Sequence, residues 1–247
     1  MNRFSFIIHD VSKSAALFFI FHFSIITLSA QHTLMRDVFA AMPDTIAPLI
    51  TKNNRLDCID FIENNMEAKV RNVLDQYVTL EALTADYARF RTSASSLMEM
   101  KLLPVSDSTS VLCLVQTAQT GEPDTPRRLE DSNIRFFHPD WTPLDSAAAF
   151  FTLPPLSDFL AAAQSPAAAS SVSATTSSSS EISEETFAAA LRSLEAFHPV
   201  RLALSPDSPT LTATLQPAYL AKDEREAITP RLRPLLFRWN GTRFSYP

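Results

Sequence analysis

The chain has 247 residues, 46% hydrophobic and 10% aromatic, with a formal net charge of −6, which is a globular composition with apolar material for one large domain or two small ones. It has no basic run, so the electrostatic footprint of a nucleic-acid binder is absent. Gly121 and Gly241 are its two glycines, too few and too isolated for a P-loop, a dinucleotide fingerprint or a G-x-S-x-G elbow.

Residues 1–30 read as a secretory signal peptide. Arg3 and Lys13 make a basic start, Ala15–Leu28 is apolar, and Leu28-Ser29-Ala30 places a small residue at a cut before Gln31. No cysteine follows that cut, so the pattern is not a lipoprotein signal. The competing reading is an uncleaved anchor, but about 16 apolar residues fall short of the roughly 20 that span a bilayer. The cleaved chain, 31–247, is then expected to carry no stable membrane span. Export permits a disulfide between Cys58 and Cys113. Both cysteines lie in apolar patterns, however, where two buried free thiols are the other reading. Their wide spacing, with no C-x-x-C, argues against a zinc or thioredoxin-type site.

Asp37–Ile50 reads as a helix or helix pair broken near Pro43, with Val38, Phe39, Met42, Ile46 and Ile50 turned inward. Asn53–Met66 reads as a better helix, capped by Asn53 or Asn54. Its apolar arc is Leu56, Cys58, Ile59, Phe61, Ile62 and Met66. Asp57, Asp60 and Asn64 share the other side, either as a solvated face or as a cation or partner site. From Val78 to Trp141 the chain alternates like an antiparallel meander. The predicted strands are Thr79–Leu83, Asp86–Thr92, Ser96–Leu103, Ser110–Thr117 and Asn133–His138. Ala118–Ser132 is an exposed loop, and His138-Pro139-Asp140-Trp141 a turn with an aromatic lid.

Pro154–Ala163 suggests a short helix. Residues 164–183 are a Ser/Ala-rich tract with almost nothing to bury, expected to be a flexible linker between 31–163 and 184–247. Glu184–Phe197 is a helix with Ser183 as N-cap and Phe187, Leu191, Leu194 and Phe197 as its stripe. A hairpin over Val200–Pro217 follows, then a polar helical segment at Ala221–Ile228. Pro234–Trp239 and Thr242–Tyr246 flank the hairpin dipeptide Asn240-Gly241. About sixty residues is marginal for an independent core, so this last part is expected to pack on the first domain or continue its sheet. At an offset of 100 residues, Leu102 meets Leu202, Asp107-Ser108 meets Asp207-Ser208, Gln116 meets Gln216, Phe137 meets Phe237 and Thr142 meets Thr242. The expected class is α+β, with amphipathic helices packed on antiparallel sheet. The offset raises a second expectation, two related helix-plus-sheet halves.

M-P-D (Met42–Asp44), N-R-L-D-x-I-D-F (Asn54–Phe61) and D-W-x-P-L (Asp140–Leu144) carry a resemblance to a family of exported Bacteroidales proteins of unknown function. The chain resembles it well over Met35–Asp145 and more loosely beyond. It departs from the family at Cys58, at the loop around Pro123–Arg128 and in the serine tract. The resemblance implies a periplasmic or cell-envelope location and brings no catalytic residue to carry over. Asp44-Thr45-Ile46, Asp107-Ser108-Thr109 and Asp145-Ser146-Ala147 also resemble the triplets that Bacteroidota glycosylate in exported proteins.

Two constellations have competing explanations. His138 and His198 each follow a phenylalanine and precede a proline; they form a shared site with Asp140, or are two surface turn residues. Arg89, Arg91 and Arg135 make a patch for an anionic glycan or carboxylate partner, or pair across strands with Asp86 or Glu99. The expected function is a non-catalytic binding or accessory module of the envelope, with a protein or glycan partner. Its candidate surface is Asp57, Asp60, Asn64, His138, Asp140 and Trp141, and no catalytic, cofactor or metal residue is assigned. The alternative is a hydrolase of envelope glycans or peptides using Asp57, Asp60 or Asp140, which needs two carboxyl groups roughly 5–10 Å apart in a groove.

Overall fold

The chain enters its fold through helix α1, Met35–Ala40, which buries Met35, Val38 and Phe39. A computed structural model describes residues 33–121, 125, 127–161 and 184–246. The leader, the Ser/Ala-rich tract and the Ser183 cap lie outside those residues. Helix α1 stops at Ala40, at the break expected near Pro43, but turns rather than a second helix follow to Ile50. Those turns are held by Arg55, almost fully buried at 2% exposure. Its guanidinium donates to the carbonyls of Met42 and Ile50 and to Asp44 Oδ1, holding carbonyls that a continuous helix would have used itself. Met42 and Ile50 are nevertheless buried as expected. Helix α2, Lys52–Glu63, starts one cap earlier than expected: Thr51 Oγ1, not Asn53 or Asn54, accepts from the backbone N–H of Asn54. Its buried arc is narrower, with Leu56 and Met66 exposed.

Six strands follow in sequential antiparallel order: β1 Lys69–Arg71, β2 Tyr77–Leu83, β3 Tyr87–Ser93, β4 Ser96–Pro104, β5 Ser110–Thr120 and β6 Leu129–Phe137. Strand β1 was not expected, because Lys-Val-Arg is too short to show a period. The loop expected from Ala118 to Ser132 is shorter than its composition suggested, since β5 runs on to Thr120 and β6 begins at Leu129. The two faces of this sheet serve two cores. Ala88, Phe90, Met98, Met100, Leu102, Leu112 and Leu114 pack under α1 and α2. Tyr87, Leu103, Val111, Cys113, Val115 and Phe136 face the other way.

The second face is covered by a four-stranded antiparallel sheet in the order β10-β9-β8-β7, with β7 Val200–Leu204, β8 Thr210–Leu215, β9 Leu235–Trp239 and β10 Phe244–Ser245. Val200, Leu202, Leu204, Leu211, Ala213, Leu215, Leu235, Phe237 and Trp239 are buried at strict period two and share one core with the first sheet. Before this sheet come α3, Ala147–Phe150, and a four-residue 3-10 turn, Leu156–Phe159. That turn stands where a helix over Pro154–Ala163 was expected, because Leu160 is drawn into a bridge with Leu232. Helix α4, Glu184–Ala196, adds Ala190 and Leu194 to the shared core, and α5, Lys222–Ile228, adds Ile228. Trp239 Nε1 donates to Pro104 O at 2.7 Å, and the N–H groups of Val200 and Leu202 donate to Asp131 Oδ1 and Ser132 Oγ. Thr33 onward is one compact unit.

The fold is therefore α+β with helices on antiparallel sheet, and the plan of helix followed by meander occurs twice. The two hairpins differ in register. Pro104 pairs with Ser110 in the first, whereas Leu204 pairs with Leu211 in the second. The second turn is one residue longer, so the constant offset fails across it, and a one-residue slip exchanges the faces of a strand. Cys58 and Cys113 lie in the two different cores, on opposite faces of the first sheet, and both are free and buried. Burial pushes the Cys58 thiol up to about 12 and raises that of Cys113 as well. At Asn240-Gly241 the loop holds four residues rather than two: Trp239 pairs with Phe244, and Asn240 Oδ1 accepts from the N–H groups of Thr242 and Arg243.

Candidate functional site

Asp57, Asp60 and Asn64 lie on the exposed side of α2. Asn64 Nδ2 donates to the Asp60 carbonyl at 2.8 Å and to Asp60 Oδ1 at 3.1 Å, so this side chain closes the helix end. Among the described residues, no group of three or more His, Cys, Asp or Glu side chains is placed to hold a metal ion. His138 and Asp140 are exposed in the turn after β6, where Asp140 Oδ1 accepts from the Thr142 N–H at 2.9 Å. Hydrogen bonds from Thr142 hold the Asp140 carboxyl below its ordinary range. Trp141 points the other way. It is 5% exposed, sits at φ 70°, packs tilted against Phe137 with ring centroids 5.4 Å apart, and donates through Nε1 to Val38 O at 2.8 Å. It anchors the D-W-x-P-L turn to α1 and is no lid. His198 is half-buried, with Nδ1 3.2 Å from Leu194 O at the end of α4.

A charged network runs across the second face of the first sheet, from its open part on β2 and β3 to the part under the second sheet. Arg89 and Arg91 both donate to Glu81, at 2.7 and 2.8 Å. Tyr87 donates to Glu99 Oε1 at 2.8 Å, with the Arg89 guanidinium 3.5 Å from the same oxygen. Lys101, 1% exposed, reaches Asp86 Oδ2 at 2.9 Å and the Pro206 carbonyl at 2.8 Å, tying β4 to the β7–β8 turn. Glu130 gathers Gln119, Arg128 and Arg201 at 2.6, 3.3 and 2.9 Å. Of the two readings of Arg89, Arg91 and Arg135, the patch does not form, because Arg135 opposes Leu114 and lies on the helix-facing side, donating to Gln116. Cross-strand pairing holds for Arg89 with Glu99, while Glu81 rather than Asp86 takes both Arg89 and Arg91. Glu99 is 1% exposed and its Oε2 has no partner among the described residues. Burial raises its carboxyl above the ordinary carboxylate range, against the pull of the Tyr87 hydroxyl and Arg89.

Along β4, Glu99 and Lys101 alternate with Met98, Met100 and Leu102, which by itself is the pattern of a half-buried strand with one wet side. Alternation shows which residues share a face, but not that a second sheet covers it.

Solvent-open cavities among the described residues include two that stand out. One, of about 520 Å³, lies between Arg128 just before β6, the Gln216–Ala218 turn after β8, Arg225 and Glu226 of α5, and Thr229 and Pro230 just after it. The other, of about 350 Å³, lies between Leu34, Arg36, Ile62 and Glu63 and the Leu83–Ala85 turn, with Arg36 paired to Glu63 at 2.6 Å. Each has a single carboxylate in its wall.

Architecture and surface together define a two-core α+β domain, with helices on one side of a central antiparallel sheet and a second sheet on the other. The chain belongs to the family described as Protein of unknown function (DUF3256), which matches residues 25–244. It is similar to a solved domain of an uncharacterized protein from Porphyromonas gingivalis W83, a member of the Bacteroidales, at 26% identity and a TM-score of 0.63. That likeness covers 86% of this chain and 97% of the other. No curated protein matches. Among the described residues, no helix is long and apolar enough to cross a membrane.

Proposed function

We propose that the protein is an exported, periplasmic or envelope-associated binding or accessory module, and that it does no chemistry on its partner. One observation carries the reading. Cys58, Tyr87, Glu99 and Cys113, whose pKa values burial raises, are buried in the cores and closed off from any substrate, whereas catalytic acids and bases are tuned where substrate can reach them. The signal-like residues 1–30 and the resemblance to exported proteins support the location.

A carboxylate-dependent hydrolase needs two carboxyl groups facing one another across a groove. Asp57 and Asp60 sit on a solvent-facing helix side, and neither cavity has a second acid in its wall. The test combines cell fractionation, terminal sequencing and incubation of the purified protein with envelope glycans and peptides. Recovery from the periplasm or envelope with Gln31 at the amino terminus, and no product release, is the expected result. Product release that disappears in Asp57→Asn or Asp60→Asn would overturn the non-catalytic reading.

A further inference from the structure

We propose that the cleft beside α5 takes an extended peptide, set by an acidic side chain of that peptide against Arg225. The inference rests on the binding-module reading and names the partner's chemistry.

The charge in the wall points one way. Arg128 shares Glu130 with Arg201 and Gln119, and Glu226 lies 3.8 Å from Lys222. Arg225 donates only to the Leu220 carbonyl, at 3.3 Å, and has no acidic partner among the described residues. Asp223 and Glu224 belong to the same helix but not to the wall. The uncompensated charge of the cleft is thus cationic, on a chain whose net charge is −6. A polyanion would be repelled by the molecule as a whole, whereas one carboxylate can be drawn to a local guanidinium, the side chain best matched to carboxylate geometry.

The shape points to a chain rather than a small molecule. Small-ligand pockets enclose most of their occupant, but this cleft is open and leaves much of whatever lies in it facing solvent. Pro217, Ala218 and Pro230 form its apolar part, and prolines offer no N–H to a ligand. Gln216 Nε2 donates to Thr214 O at 3.4 Å, so Gln216 Oε1 and the lone pairs of the Thr229 hydroxyl remain to accept from backbone N–H groups. Thr229 Oγ1 itself donates to Arg225 O at 2.7 Å, which fixes it beside the guanidinium's own turn.

The test titrates ¹⁵N-labelled protein of residues 31–247, which hold the whole described fold, with two blocked tetrapeptides, Ala-Glu-Ala-Ala and Ala-Gln-Ala-Ala. Saturable amide shifts at Ala218, Arg225 and Thr229 are expected in the millimolar range. The glutamine peptide should bind about two- to fivefold more weakly, the scale of a solvent-accessible ion pair. In Arg225→Gln the two peptides should become equal. If that variant fails to fold, Ala218→Glu, which supplies the cleft with its own carboxylate, should abolish the preference instead. Equal affinity for both peptides in the unmodified protein would overturn the acidic selection while leaving a binding module. No saturable shift with either peptide would overturn the cleft as a peptide site; the module reading would then stand or fall on capture of an envelope partner.

Discussion

The described chain breaks off at Ala161 and resumes at Glu184 in one neighbourhood. Ala161 donates to the Arg231 carbonyl at 2.8 Å, and Arg231 Nη2 donates to Glu184 Oε1 at 3.0 Å. An arginine and a glutamate side chain in line reach only about 10 Å, so the two ends lie within about 20 Å, which about six extended residues can span. Replacing the 22 residues from 162 to 183 with a connector of about eight glycines and serines should therefore leave both sheets and their shared core in place. Loop-closure entropy scales as (3/2)RT ln n, so the shorter connection should stabilise the fold by about 0.9 kcal/mol. For a domain of about 200 residues that is a rise in Tm of about 2–4 °C. Thermal unfolding followed by circular dichroism, with an amide NMR spectrum of each form, measures both. One cooperative transition at slightly higher temperature is expected. Two transitions, or wholesale loss of the C-terminal resonances, would show that 184–247 is a separate body needing a long tether, and would refute the reasoning.

Glu99→Gln keeps an acceptor for Tyr87 and leaves Arg89 paired with Glu81, while removing a buried charge. Because burial raises the Glu99 carboxyl in the fold, its contribution to stability falls as pH climbs from its unfolded value through its folded one. Urea unfolding should find the variant's relative stability greatest near neutral pH, by on the order of 1 kcal/mol, and the difference should vanish toward pH ~4. Trp141→Phe removes the donor to the buried Val38 carbonyl and should cost about 1–3 kcal/mol; Asp57→Asn with Asp60→Asn, measured alongside, should stay within about 0.5 kcal/mol of the unmodified protein. Gly241→Ala meets no atom within 4 Å, so its cost in chemical denaturation comes from φ 91° alone, about 1 kcal/mol.

Strands β2, β3 and β4 were legible because their residues alternate and their turns carry Pro, Ser and Asp, and β5 because Val111–Val115 is apolar on both faces, as in a strand covered on both sides. The second sheet was legible by alternation at Val200, Leu202 and Leu204. What alternation could not convey was stacking: Glu99 and Lys101 look wet in sequence and are dry in the fold. Arg55 escaped notice because a charged helix residue normally faces water, and only the folded-back Met42–Ile50 turns surround it with carbonyls. Trp141 looked like a lid because nothing in its neighbours reveals the left-handed φ that turns it inward. The cleft was out of reach, since Arg128 and the Gln216–Pro230 wall meet only after the second sheet docks.

The central claim, a module that binds without catalysing, is tested most directly by in-cell crosslinking of the tagged full chain in a Bacteroidales host, followed by quantification of what is captured. One envelope protein or glycan at near-equal amounts, retained by Asp57→Asn with Asp60→Asn, is the expected result. No enriched partner under several extraction conditions, together with release of sugar or peptide fragments from envelope material, would contradict it.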